Sequence, residues 1–191
     1  MLGRSSGVSV RSSQPIGEAI SKGAGLYANE IQNARDAMER AYGNIISKAN
    51  LSIADIGKSA LGAYGGGTVY MSKRFTSSKN LTQSMKEMAE SGFHPKIGNK
   101  TGAEAVTAHE LGHYLADRVS KKTGLSEREI VSRAGKRIGV KVNNMASQIS
   151  EYARYNYAET IAEASADVFA NGRKASKASR AIMAEIKRSL R

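Results

Sequence analysis

The chain has 191 residues, about the length of one domain, and 40% of them are hydrophobic, which excludes a disordered protein. Lys and Arg number 29 against 17 acidic residues, and the net charge of +12 favours anionic partners. Cysteine is absent, so a bound metal must be held by His, Asp or Glu. Aromatic residues make up only 6% of the chain, while Ala, Ser and Gly are abundant, which predicts a mainly helical domain.

The first 15 residues are rich in Ser and carry basic but no acidic side chains. We expect a disordered basic arm over residues 1–15; an organellar transit peptide is the alternative with a similar composition. The segment lacks the continuous apolar stretch typical of a secretory signal, and no stretch of the chain reaches the roughly 18 apolar residues of a membrane span. We therefore expect an intracellular or particle-associated protein without a membrane span.

Residues 16–49 carry apolar side chains at helical spacing and predict a long amphipathic helix, interrupted near its start by Gly23 and Gly25. The side chains on its inward face step by three and four: Ile31, Ala34, Met38, Ala41 and Ile45. Gly, Ser and Ala then predominate as far as three consecutive glycines. We expect residues 16–66 to form a helical extension and a Gly-rich linker.

At least one short strand, as an edge strand or part of a small sheet, and a series of helices are predicted for the rest of the chain. Thr68–Ser72 predicts the strand, because β-branched and aromatic residues follow the glycines. Those glycines are not a phosphate-binding loop, since neither Gly-Lys-Ser/Thr nor a helix follows them. Thr101 with Glu104, and Ser126 with Glu129, match capping boxes that begin helices. The predicted helices cover residues 81–91, 102–119, 126–137, 143–152, 158–170 and 176–190.

The helix that begins at the first capping box contains His109-Glu110-Leu111-Gly112-His113, an HExxH motif. Residues four apart lie above one another on a helix, so His109 and His113 present two imidazoles to one point, as a zinc site requires. Glu110 lies beside them, where it can accept the proton of a water activated by zinc. Two buried structural histidines are the alternative, but two of only three histidines in the chain fall in this motif.

A third ligand is needed, and the chain has neither a cysteine nor a later histidine to supply it. A carboxylate on a later helix is therefore expected, and Glu159, Glu163 and Asp167 lie four residues apart on one predicted helical face. Such a row is mildly repulsive without a cation beside it. With Glu159 as ligand, Glu163 can accept the outer N–H of a ligating histidine. A solvated acidic face is the alternative.

The HELGH motif and the later Glu-x-x-Ala-Glu-Ala segment, Glu159–Ala164, resemble the catalytic domain of anthrax lethal factor and its relatives. Ser150–Ala164 is also similar to zincin-like domains at the C-terminal end of bacteriophage minor head proteins, as is Phe93-His94-Pro95. His94 itself has no motif partner, and we expect it in a loop or in the core. The resemblance implies a zincin-like gluzincin domain, α+β and predominantly helical, over residues 67–172.

Carried over to this chain, the resemblance implies that His109, His113 and Glu159 bind zinc and that Glu110 is the general base. Glu163 then supports the ligands. The resemblance also implies that Thr68–Ser72 is the edge strand beside the cleft, along which an extended peptide pairs. The chain departs from the family pattern after the ligand glutamate, where Thr160 and Ile161 replace an aromatic pair.

An oxyanion donor is a further implication of the resemblance. In lethal factor a tyrosine precedes the ligand glutamate at the distance that Tyr152 has from Glu159. Tyr155 and Tyr157 are the neighbouring candidates for this donor. For each of the three tyrosines, the other interpretation is a packing role.

Two basic segments carry most of the positive charge. Residues 172–191 hold seven basic residues against one acidic residue, and residues 118–141 hold eight against two. They suit non-specific contact with DNA phosphates, because no nucleic-acid motif or aromatic series accompanies them. A soluble cationic surface is the alternative. We expect residues 173–191 to form a basic C-terminal helix.

The sequence thus predicts a zinc-dependent metallopeptidase that acts on a peptide or protein substrate, located in the bacterial cytoplasm or a phage virion. The alternative is a bacteriophage minor head or virion structural protein whose zinc site is structural or inactive, with virion proteins and DNA as its partners. A peptidase toxin is a second alternative.

Overall fold

The computed structural model describes residues 3–4, 9–22, 25–75 and 78–191, and within them the fold is α+β and predominantly helical. The helices of the described residues are α1 (Ile16–Ser21), α2 (Gly25–Tyr42), α3 (Asn44–Ser47), α4 (Ser78–Glu90), α5 (Gly102–Thr123), α6 (Glu127–Ile138), α7 (Tyr157–Asn171) and α8 (Lys177–Leu190). The strands are β1 (Gly3–Arg4), β2 (Ser13–Pro15), β3 (Asn50–Ala54), β4 (Gly62–Gly65) and β5 (Thr68–Ser72).

The strands form one small sheet in the order β1-β4-β5-β3-β2. Strand β5 pairs antiparallel with β4 on one side and parallel with β3 on the other. The expectation that Thr68–Ser72 is an edge strand is therefore wrong. Its neighbours come from the segment predicted to be a linker. Strand β4 has the sequence Gly-Ala-Tyr-Gly, whose two glycines gave no strand signal.

The N-terminal segment differs from the expected disordered arm. Strand β1 pairs parallel with β4, and β2 pairs antiparallel with β3. Backbone pairing to the sheet supplies the order that the composition of residues 1–15 does not indicate. Residues 1–2 and 5–8 of the predicted arm lie outside the described residues.

The single long helix predicted over residues 16–49 is divided. Helix α2 ends at Tyr42, and Gly43, with a φ of 75°, turns the chain before the short α3. Ile31 and Met38 are buried as predicted, whereas Ala41 is exposed because the helix ends beside it. Gly23 lies outside the described residues.

The helices after residue 78 follow the prediction closely, with one exception. Both capping boxes are present, and Gly124 and Gly139 end α5 and α6 in the left-handed conformation. The prediction of a helix over residues 143–152 is wrong. Short 3₁₀ turns take its place at Val142–Asn144, Ala146–Gln148 and Tyr152–Arg154.

One large core joins the segments that we expected to be separate, and a small second cluster contains Ala54, Ile56, Ala60 and Ala63. The buried apolar residues of the large core run from Ile16 in α1 to Ile186 in α8, so the domain boundaries expected at 66/67 and 172/173 do not divide it. Helix α5 lies at the centre and contacts α2, α4, α7, α8, β4 and β5. Within the described residues, no helix combines the length and the apolar character needed to cross a membrane.

Candidate metal centre

Helix α5 holds the HExxH motif at its centre. The Thr101 hydroxyl accepts a hydrogen bond from the Glu104 amide, and the Glu104 carboxylate accepts one from the Thr101 amide, which fixes the helix start. Every residue from Gly102 to Ala116 except Glu104 is buried. Because packing surrounds the helix, the backbone that carries His109 and His113 is held in place by the core.

Helix α7 approaches α5 closely at Gly112, inside the motif. A Cβ atom at Gly112 would lie 2.7 Å from the Ser165 Cβ and 2.8 Å from the Ala162 Cα, so glycine permits this approach. The Ser165 hydroxyl donates a hydrogen bond of 2.7 Å to the Ala108 carbonyl at the same level. This packing brings Glu159, near the start of α7, opposite the two imidazoles.

The structure brings His109, His113 and Glu159 together. The Oε2 atom of Glu159 lies 3.2 Å from Nε2 of His109 and 3.5 Å from Nε2 of His113. Bonds of about 2.05 Å to a tetrahedral zinc ion would separate two ligand atoms by about 3.3 Å, so these distances suit that geometry. Each of the three residues is at most 2% exposed. They form a buried group that could hold a metal ion.

Glu110 is fully buried beside this group, and neither carboxylate oxygen makes a hydrogen bond to the residues that the structure describes. Strand β4 closes this side of the site, where a Cβ atom at Gly62 would lie 2.9 Å from the Glu110 Oε1. Burial raises the pKa of Glu110 to about 8; His109 opposes this shift and Glu159 reinforces it. A buried carboxyl group with such a pKa is suited to transfer protons near neutral pH.

Glu163 lies behind His109 and accepts hydrogen bonds from several sides. Its Oε1 lies 2.8 Å from Nδ1 of His109, and its Oε2 accepts a bond of 2.8 Å from the Ser150 hydroxyl. Burial opposes the charge of this carboxylate, but the bonds from His109 and His94 hold the pKa of Glu163 at about 2. Glu163 therefore contacts the outer nitrogen of His109 and leaves Nε2 facing Glu159.

His94 lies in the loop after α4 and is 2% exposed, in agreement with the expectation of a loop or core position. Its Nδ1 atom lies 3.1 and 3.0 Å from the two oxygens of Glu163, a contact that the sequence analysis missed. No helical spacing relates His94 to α7, since 69 positions separate the two residues. The likeness of Phe93-His94-Pro95 to the phage domains was the one available signal.

The charges of the site are tightly coupled. Burial disfavours a charged His109, but carboxylates near both of its ring nitrogens raise its pKa to about 10. Burial also opposes ionisation of Glu159, yet the imidazoles of His109 and His113 hold its pKa well below its usual range. The arrangement places negative carboxylates around a point where a cation is favourable.

Among the three candidate tyrosines, Tyr152 borders the group. It is 4% exposed, its ring centroid lies 6.1 Å from that of His109, and burial raises its pKa. Tyr155 packs on Tyr152 with a centroid distance of 5.1 Å but is 66% exposed. The Tyr157 hydroxyl donates to the Asn143 side chain instead.

Asp167 lies on α7 with Glu159 and Glu163, but it is not part of the group formed by His109, His113 and Glu159. Its Oδ2 accepts bonds of 2.9 Å from the Ser176 amide and 2.7 Å from the Ser179 hydroxyl, and its Oδ1 accepts one from the Asn171 side chain. Asp167 therefore binds the start of α8, where Ser176 is the N-cap residue. The three members of the predicted acidic row thus have different positions. Glu159 lies with His109 and His113, Glu163 lies behind His109, and Asp167 has a structural role.

Comparisons with family models, with curated proteins and with solved structures find no match for this chain. The resemblance to zincin-like domains therefore rests on the sequence motifs. The observed fold establishes the broader α+β class.

Proposed function

We propose that the protein is a zinc-dependent metallopeptidase. In this proposal His109, His113 and Glu159 bind the metal, and Glu110 is the general base. One observation supports it above the others: a buried carboxyl group without a hydrogen-bond partner among the described residues lies beside a buried His-His-Glu group with separations that suit zinc. The motif resemblance favours peptide hydrolysis over other hydrolytic reactions.

His109, His113 and Glu159 would hold the zinc ion, which would supply Lewis-acid polarisation of a substrate carbonyl and lower the pKa of a bound water. Glu110 would accept the proton of the attacking water and return it to the leaving amine, because its carboxylate lies beside the His-His-Glu group. Tyr152 donates a hydrogen bond to the developing oxyanion, and its raised pKa keeps its hydroxyl protonated. Glu163 holds the ring of His109 in its orientation.

The substitution Glu110→Gln tests this proposal. Gln matches Glu in size but cannot accept the proton, so turnover should fall by a factor on the order of 10² to 10⁴ while zinc binding is retained. The measurement is cleavage of a broad peptide library by zinc-loaded protein, read by mass spectrometry. Glu90→Gln, at an exposed position in the last turn of α4, is the control and should keep wild-type turnover. Equally negligible cleavage by the wild type and Glu110→Gln would contradict the proposal.

The burial of the group favours a second candidate, a virion structural protein with a structural zinc site. Structural zinc sites are closed, whereas catalytic sites keep one coordination position open to water or substrate. His109, Glu110 and His113 are each at most 2% exposed, which suits a closed site. In this case Glu110→Gln leaves function unchanged. A peptidase toxin would have the same site as the proposed enzyme and differ in its target.

We further propose that α6 and α8 form one surface for non-specific contact with DNA. The two helices pack against each other, and the buried Glu185 between them pairs with Arg137 at 2.9 Å and with Arg188 at 3.1 Å. The basic segments of the sequence therefore meet on one side of the molecule. The other exposed basic residues in or next to these helices are Arg128, Arg133, Lys136, Lys141, Arg173, Lys174, Lys177, Arg180, Lys187 and Arg191.

Binding to this surface should weaken steeply with salt and show little sequence preference, because phosphate contacts release counterions. Each lost phosphate contact lowers the slope of log K against log salt by about 0.9. Fluorescence anisotropy with duplex DNA can compare two triple Lys→Gln variants. The test variant changes Lys174, Lys177 and Lys187, and the control changes the exposed Lys48, Lys58 and Lys86. Equal slopes in the two variants, or no binding by the wild type, would contradict this assignment.

A further inference from the structure

We infer that His94 is a positioning residue for both parts of the proposed active site, the metal group and the oxyanion donor. It acts on His109 through Glu163, and on Tyr152 through direct ring contact. The second action rests on the proposed function. The first concerns metal affinity and is testable without a substrate.

The polar side of His94 completes the hydrogen bonds of Glu163. The carboxylate lies within 2.8 to 3.1 Å of three donors, Nδ1 of His109, Nδ1 of His94 and the hydroxyl of Ser150. His94 and Glu163 have side chains that are 1% exposed, so water does not replace a lost donor easily. Without His94 the carboxylate can rotate away, and the ring of His109 loses the contact that aims Nε2 at the metal.

The ring of His94 packs against the ring of Tyr152. The centroids of the two rings lie 5.0 Å apart at an angle of 58°, and the Phe93 ring lies 5.3 Å from Tyr152. The Tyr152 amide also donates a hydrogen bond of 3.0 Å to the Phe93 carbonyl. The loop that carries His94 therefore holds the main chain and the ring of Tyr152 at once.

Ser150 links the two actions. Its hydroxyl donates to Glu163 and accepts a bond of 3.1 Å from the Ala153 amide, in the 3₁₀ turn that carries Tyr152. Because no α-helix contains this turn, its position depends on such contacts. His94 and Ser150 thus form one network from the outer nitrogen of the proposed ligand to the backbone of the proposed oxyanion donor.

Two variants of His94 separate the two actions. His94→Phe keeps an aromatic ring and loses the N–H, whereas His94→Asn places an amide N–H near the position of Nδ1 and loses the ring. We expect His94→Phe to lower zinc affinity by about 10- to 100-fold and His94→Asn to keep it within about threefold of the wild type. His94→Asn should instead lower kcat with little change in KM, since an oxyanion donor acts in the transition state. Chelator competition gives the affinities, and circular dichroism verifies folding.

A matched pair of serine variants provides the control. Ser150→Ala removes a buried hydroxyl that donates to Glu163, and Ser179→Ala removes one that donates at 2.7 Å to Asp167 on the same helix. Both lose one hydrogen bond to a carboxylate of α7, but Asp167 lies outside the metal group. Ser150→Ala should weaken zinc binding several-fold, at roughly the lower end of the range for supporting residues, while Ser179→Ala should lower thermal stability and leave zinc affinity unchanged.

Proton NMR of the metal-free protein gives a readout that requires neither zinc nor activity. In the wild type, the imidazole N–H protons that face Glu163 should exchange slowly, and His94→Phe should speed exchange at His109. A folded His94→Phe with wild-type zinc affinity and unchanged exchange at His109 would overturn the inference. Equal losses of zinc affinity in His94→Phe and His94→Asn would also overturn it. Intact metal effects without any peptidase activity would contradict the proposed function and the role toward Tyr152, yet support the role toward His109.

Discussion

At His109 both ring nitrogens face carboxylates, Nδ1 with Glu163 at 2.8 Å and Nε2 with Glu159 at 3.2 Å. This environment raises the pKa of His109 to about 10 in the metal-free protein, so the ring is protonated at neutral pH. A metal ligand must present a neutral nitrogen, and binding therefore displaces a proton. The same carboxylates that attract a cation thus make proton and metal competitors.

Zinc binding at pH 8 should release at least one proton, chiefly from His109, and zinc affinity should fall as the pH is lowered. Isothermal titration in two buffers of different ionisation enthalpy measures the released protons. The upward shift from 6.5 also stabilises the metal-free fold, fully below pH 6.5 and progressively less as the pH rises through about 10. Zinc affinity that is constant between about pH 6.5 and 9 would contradict the assignment of His109 as a ligand.

Residues related by helical spacing were identifiable from the sequence, and residues related by long-range packing were not. His109 and His113 are one helical turn apart, as are Glu159 and Glu163, so their shared faces follow from local geometry. Ser150 and His94 meet Glu163 from other segments, and no local pattern encodes those contacts. For Asp167 the spacing was misleading. Asp167 follows Glu163 by one helical turn, but its hydrogen-bond partners lie at the start of α8.

At the scale of elements, the site depends on how closely α5 and α7 pack. Gly112 allows this approach, since a Cβ atom there would lie within 3 Å of two atoms of α7. Gly112→Ala should separate the helices, lower the free energy of unfolding by about 1–3 kcal/mol and weaken metal binding. Chemical denaturation and zinc titration measure both effects.

Gly17→Ala is the control for that substitution. Gly17 lies in α1, and a Cβ atom there would meet nothing within 4 Å. Its replacement should leave zinc affinity unchanged and stability equal or slightly higher, because Ala has the better helix propensity. If Gly112→Ala behaves in the same way as Gly17→Ala, the close approach does not position the site.

Elements with strong local signals were predictable. Helices α5 and α6 have capping boxes at their starts and glycines at their ends, and both signals act within a few residues. Strands β3 and β4 have weak signals, because each is short and is stabilised by pairing with β5. The segment over residues 143–152 has helical periodicity, yet it forms 3₁₀ turns, and the amides of Glu151 and Tyr152 donate to the carbonyls of Gly92 and Phe93 instead of continuing a helix.

In the whole molecule, the predicted extension, catalytic domain and C-terminal helix are not separate units. Residues of all three contribute to one large core. A fragment of residues 67–172 would lack both strands that pair with β5 and the helix α2 that packs on α5. Composition indicated a break near residue 66 because glycines cluster there. In the fold, Gly66 and Gly67 form the turn between β4 and β5.

The metal content of the 191-residue chain is the decisive measurement for the proposed zinc site. The protein is loaded with zinc, passed through gel filtration and analysed by mass spectrometry for bound metal, with His113→Ala treated in parallel. We expect about one zinc per wild-type chain and almost none in a folded His113→Ala. A folded wild-type chain that retains no metal would contradict the account.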